Sequence, residues 1–103
     1  MTQIITRGTT PTLNFTMPVA AETLAVAYIT FSQQDEVVFE KTLADCKLEE
    51  NRLSVRLSQE DTLKLDDEYK VTIQIRMKDH SGNAPASKIF EVETGKIQKE
   101  GVI

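Results

Sequence analysis

The 103 residues contain one cysteine, one histidine, no tryptophan, four glycines and three prolines. A lone Cys46 rules out an intrachain disulfide and a thiolate metal cluster. An apolar fraction of 40% and a charged fraction of 27% are ordinary for a globular protein and indicate neither disorder nor a fibrous repeat. No long hydrophobic run is present. The longest, Leu24 to Ile29, is six residues, far short of the ~20 that span a bilayer as a helix. "MTQIITRGTT" has no basic stretch followed by an apolar one, so no signal peptide is expected. A net charge of −4 argues against general nucleic-acid affinity, which needs a basic field to displace counterions. No aromatic residues interleave with the basic ones, so there is no platform for stacking single-stranded bases.

The motifs of chemistry are equally sparse. His80 lies in a turn between Asp79 and Ser81, and neighbours on one loop rarely supply the geometry of a catalytic triad. Asp66, Asp67 and Glu68, like Glu60 and Asp61, are acidic clusters without the alternating ligands and glycine of a calcium loop, and read as solvated corners. "RGTTPT" leads into a strand, whereas a phosphate loop opens a helix, so it reads as a turn with Arg7 as a possible anchor. Cys46 has no base near it in sequence. No catalytic residue, metal or cofactor is expected.

What the chain does have is a period of two. Strands are predicted over 2–6, 12–17, 24–32, 36–43, a short piece near 47–48, 52–57, 69–78 and 88–93. Turns fall at "RGTTP", at "QQDE" 33–36, in the polar "EEN" and in "KDHSGNAP". Leu13, Phe15, Ile29, Phe31, Phe39, Leu53, Val55, Tyr69, Val71, Ile73, Ile75, Phe90 and Val92 are the expected core, with Val37 and Leu43 on the face of Phe39. Ala25, Ala27, Ile29 and Phe31 face one way. Leu24, Val26 and Tyr28 face the other and need a cover, from the other sheet, the tail or another subunit. Ser58, with acids at 60 and 61, signals one helical turn near 58–65. The expectation is an all-β antiparallel sandwich of about seven strands over residues 1–94, with a short tail over 95–103.

"YKVTIQIRMK" is the cleanest strand, apolar at odd positions and polar at even ones from Tyr69 to Lys78. Its outer row of Lys70, Thr72, Gln74, Arg76 and Lys78 is either a contact surface or a solvated face balanced by Glu40, Glu91 and Glu93. Ile97, Val102 and Ile103 in the tail are further contact candidates, by pairing with a sheet edge of a neighbour.

"LKLDDEYKV" resembles the E–F corner of immunoglobulin-like and fibronectin-type-III-like domains. The resemblance is carried by Leu63, Tyr69 and Val71. It implies that the Tyr69 ring packs in the core while its hydroxyl bonds an upstream backbone group. The chain lacks the tryptophan and cysteine pair of a true immunoglobulin domain. "IITRGTTPTLNFTMP", "AYITFSQ", "LSQEDTLKL" and "GKIQKEGVI" together resemble small proteins encoded near tail and baseplate genes in prophages and tailed phages of Gram-positive bacteria. The layout is similar to the immunoglobulin-like N-terminal domains of phage upper-baseplate proteins. That resemblance implies a non-enzymatic structural or accessory protein, in the virion or the host cytoplasm. Its partners would be other tail or baseplate proteins or itself, with no nucleic acid and no membrane. A host-surface glycan or protein binding module and a cytoplasmic factor modulating a host protein are the alternatives.

Overall fold

The computed structural model describes residues 4–17, 20, 23–85 and 89–103. Residues 2, 3, 18 and 88, expected at strand ends or at the Pro18 stop, lie outside them. Eight strands are present among the described residues: β1 (Ile4–Thr6), β2 (Thr12–Thr16), β3 (Leu24–Gln33), β4 (Glu36–Thr42), β5 (Cys46–Glu49), β6 (Arg52–Arg56), β7 (Val71–Asp79) and β8 (Phe90–Gly95). They form a five-stranded sheet in the order β1-β8-β7-β3-β4 and a three-stranded sheet in the order β2-β6-β5. The architecture is the expected all-β sandwich, with two departures. The 46–49 segment is a full strand, and β1 runs parallel to β8 while every other pairing is antiparallel.

The inner faces meet in one core. Ile29, Phe31, Leu53, Val55, Leu57, Val71, Ile73 and Ile75 are almost wholly removed from water. Phe31 and Phe39 stack with ring centroids 4.4 Å apart. The hairpins fall where expected, with Gln34 and Asp35 at φ 50° and 63° and Glu50 at φ 53°. These are left-handed positions that two-residue hairpins demand.

Two bulges invert the expected facing of apolar residues. Register shifts between Leu24 and Val26, which adds one residue and turns Leu24 into the core while Ala25 is exposed. It shifts again between Phe31 and Ser32 opposite β4, so Phe39 pairs with Phe31 but Val37 with Ser32. Val37 therefore points outward, contrary to the expectation that it shares the face of Phe39. A side-chain period of two makes one extra residue enough to do this.

The corner before β7 also differs from expectation. Tyr69 is not buried: it is 38% exposed, and its hydroxyl makes no hydrogen bond among the described residues. Its N–H closes a turn onto the Asp66 carbonyl at 3.3 Å, so the strand begins at Val71, two residues later than predicted. Tyr69→Phe is accordingly expected to leave stability within about 0.5 kcal/mol of the parent, as at other exposed positions. Chemical-denaturation midpoints check this. Phe90 faces inward opposite Ile73, with its ring 5.6 Å from that of Phe15, yet at the sandwich margin it stays partly exposed.

The corner is held by other residues. Helix α1 (Gln59–Leu63) is short and closed by a capping box. The Asp61 N–H donates to Ser58 Oγ at 3.1 Å and the Ser58 N–H to Asp61 Oδ2 at 3.0 Å. This is the Ser58 cap read from sequence, and it satisfies two N-terminal amides at once. Gln33, at the end of β3, is buried and reaches the corner. Its Nε2 donates to the carbonyls of Asp66 (2.7 Å) and Tyr69 (3.0 Å), and its Oε1 accepts from the Asp66 N–H at 2.9 Å.

Candidate contact surface

The two sheets differ sharply in what they show to solvent. The outer face of the three-stranded sheet is polar: Thr12, Asn14 and Thr16 on β2, and Arg52, Ser54 and Arg56 on β6, with Ser54 Oγ bonded to Asn14 Oδ1 at 2.6 Å. The outer face of the five-stranded sheet is mixed and partly apolar. Val26 is 37% exposed, Tyr28 45%, Ile4 58% and Val37 63%. Neither the second sheet nor the tail covers it among the described residues.

Register builds this face. Val26 lies opposite Lys78, Tyr28 opposite Arg76 and Thr30 opposite Gln74 across β3 and β7. On the other flank, Tyr28 faces Thr42 and Thr30 faces Glu40. The result is a shallow depression of about 440 Å³ lined by Val26, Tyr28, Thr30, Glu40, Arg76 and Lys78, among others. A second hollow of about 270 Å³ continues it past the same Thr30 towards Thr72 and Ile89. Glu40 accepts from Thr30 Oγ1 at 3.0 Å. Arg76 and Lys78 form no ion pair among the described residues, where the two pairs are Arg7–Glu100 and Lys41–Asp61. The acids expected to balance the basic row do not neutralise it. Glu91 sits opposite Thr72, and Glu40 is two strands from Arg76, across β3, and one outward position along.

The remaining candidates serve the fold. Arg7 is not a free anchor: its Nε donates to the Leu65 carbonyl at 2.8 Å and an η-nitrogen to the Leu63 carbonyl at 3.2 Å. It thereby satisfies carbonyls that the end of α1 leaves unpaired. The other η-nitrogen pairs with Glu100 at 2.8 Å. The tail folds back on α1. Ile97 packs over Gly8, where an added Cβ would come within 3.1 Å of its Cδ1 and where φ is +73°. The Gln59 side chain exchanges two hydrogen bonds with the Ile103 backbone. Val102 and the Ile103 side chain remain exposed, and Lys70 lies just before β7, apart from the depression. Leu63 is half-buried beside Gly8, and Val71 is fully buried at the start of β7.

The titratable groups singled out in the sequence do not converge. No cluster of three or more histidine, cysteine or acidic side chains placed to hold a metal occurs among the described residues. Asp79 accepts from the N–H groups of Ser81 and Asn83, both at 2.9 Å. Those bonds, Asn83 foremost, hold its carboxyl below the usual range. It orders the turn that carries His80. Burial, reinforced by Asp45, pushes the Cys46 thiol up to about 11, and its Sγ lies 3.3 Å from the Thr42 carbonyl. Reaction runs through the thiolate. Cys46 in the folded chain is therefore expected to react with a disulfide reagent at pH 8 at least about tenfold more slowly than in denaturant. Equal rates would contradict that placement.

The chain matches no protein-family model and no curated protein. Among the described residues no helix is long and apolar enough to cross a membrane.

Proposed function

We propose that the chain is a non-enzymatic contact module, a structural or accessory protein of the tail or baseplate region of a phage, working through the outer face of its five-stranded sheet. One observation carries the contact reading. That face presents exposed Val26 and Tyr28 beside two cations, Arg76 and Lys78, that form no ion pair among the described residues, with exposed Ile4 and Val37 out on its edge strands. Apolar and aromatic residues at the centre with charged residues around them is the anatomy of a protein interface, and the polar outer face of the other sheet lacks it. The phage setting rests on the resemblance of the four sequence stretches quoted above. Contact there would place the tyrosine ring and the two valines against a partner, with Arg76 and Lys78 setting orientation.

Mass spectrometry of purified particles, induced from the bacterium that encodes the chain, tests this. The chain is expected in the particle, and Tyr28→Lys should lower its incorporation at least about tenfold, as for loss of a central aromatic anchor. Absence of the wild-type chain from particles would favour a role in the host cytoplasm and overturn the structural reading.

A further inference from the structure

We infer that the occupant of this face is the same face of a second copy of the chain, the two related by a two-fold axis lying in the interface along β3. The inference rests on the contact reading above and names its partner.

The argument is one of self-complementarity. Across the face the columns run basic, apolar, acidic: Arg76 and Lys78 on β7, Val26 and Tyr28 on β3, Glu40 on β4. A two-fold axis along β3 leaves the apolar column over its own copy and exchanges the flanks. β7 of each protomer then lies over β4 of the other, so Arg76 approaches Glu40 of the second copy, twice over, while Lys78 lies four residues along from it and adds only a longer-range attraction. An isologous interface requires this reciprocity. Arg76 pairs with Tyr28 and Glu40 with Thr30, so the opposite charges are offset by two residues along the strands. That offset is ~7 Å at ~3.4 Å per residue, which long side chains and the usual ~30° rotation between packed sheets absorb.

A uniformly acidic partner fits less well, because Glu40 lines the same depression as Arg76 and Lys78 and would repel it. The order β1-β8-β7-β3-β4 sets β7, β3 and β4 of each protomer against the other and leaves β8 and β1 beyond the partner's edge. Three strands at ~4.8 Å spacing, about seven residues long, make a planar face on the order of 350 Å², a small interface and hence a weak association. The bulge at Val38 contributes as well, since it brings Val37 onto this face in the same β4 column as Glu40.

Sedimentation equilibrium of the full chain, up to about 500 µM so that weak association registers, should show the mass doubling. Arg76→Glu alone and Glu40→Arg alone each juxtapose like charges in the homodimer and should weaken association at least about tenfold. An equimolar mixture of the two variants should associate again, because each protomer then supplies the charge the other lacks. Both positions are exposed, and unchanged circular dichroism confirms that the variants fold. A wild-type chain that stays monomeric, or a mixture that associates no better than its components, overturns the inference. If the wild type is monomeric while Tyr28→Lys still blocks incorporation into particles, self-association fails and the contact surface stands. If that substitution leaves incorporation unchanged as well, both fail.

Discussion

Gln33→Ala is expected to destabilise the fold by about 3 kcal/mol, among the largest effects of any polar substitution in the chain. Gln33 is the last residue of β3 and is buried, and its amide joins three elements. It donates to the carbonyls of Asp66 and Tyr69 and to Thr94 Oγ1 (3.4 Å), and accepts from the Asp66 N–H. Removing the side chain leaves the Asp66 N–H without its acceptor and the Asp66 carbonyl without this donor, and the Tyr69 carbonyl keeps the Thr94 hydroxyl at 2.8 Å. Stranding a polar group costs up to about 1–3 kcal/mol where water cannot reach it, and both bonds to Asp66 are part-buried. Gln33→Glu is the informative companion. It keeps the shape and the acceptor but turns a carboxylate towards two carbonyls, which raises its folded pKa. Its deficit at neutral pH should shrink as the pH falls and the carboxyl protonates. Urea midpoints at pH 7 and pH 4 read both effects. An alanine variant as stable as the parent would show that the corner is held elsewhere.

Asp61→Ala should cost about 2–4 kcal/mol, since it removes a cap and leaves Lys41 without its partner. Lys41 occupies an inward position on β4 opposite Ile29 and meets Asp61 at 2.6 Å, with both side chains largely shielded from water. Burial, the largest single influence, opposes ionisation of Asp61. The Lys41 ammonium and Ser58 together outweigh it, so the carboxyl titrates below its usual range. A carboxylate whose folded pKa is depressed contributes stability that is present above its unfolded pKa and is lost as the pH falls through the folded one. The wild type should therefore lose stability below about pH 4, the ordinary aspartate value. Asp61→Asn, starting lower, should show a shallower decline over the same window. Parallel curves for the two proteins would place the acid sensitivity elsewhere.

Strand alternation made much of this fold legible. "RLSVR" and "VTIQIRM" each bury every second residue, and both proved to be strands with the expected faces. What defeated sequence reading was mostly a change of parity. Each bulge adds one residue without any local signature such as glycine, so strict alternation places Leu24 and Val37 on the wrong faces. Partnership across the chain was the other obstacle. "QEDTL" looked like a solvated acidic turn, yet Asp61 is buried, because Lys41, twenty positions earlier, comes inward at the end of β4. Gln33 looked like part of a polar turn because its partners lie beyond residue 65. Tyr69 carried a familiar pattern, but the Asp66–Tyr69 turn swings the ring outward and leaves the corner to Gln33. Half of the contact surface was visible as the basic row on β7. Val26 and Tyr28 were visible as an apolar second face in need of a cover, but only strand order sets them between that row and Glu40 on β4.

The chain contains two tyrosines, and both are partly exposed, Tyr28 at 45% and Tyr69 at 38%. Only Tyr28 lies in the proposed contact face. Hydroxyl-radical oxidation of the free, dilute chain and of purified particles, read out by mass spectrometry of each tyrosine, tests that placement with an internal reference. Tyr28 should be oxidised several-fold more slowly in the particle than in the free chain, relative to Tyr69. Equal reactivity of Tyr28 in both states would contradict the assignment of the five-stranded sheet's outer face as the contact surface.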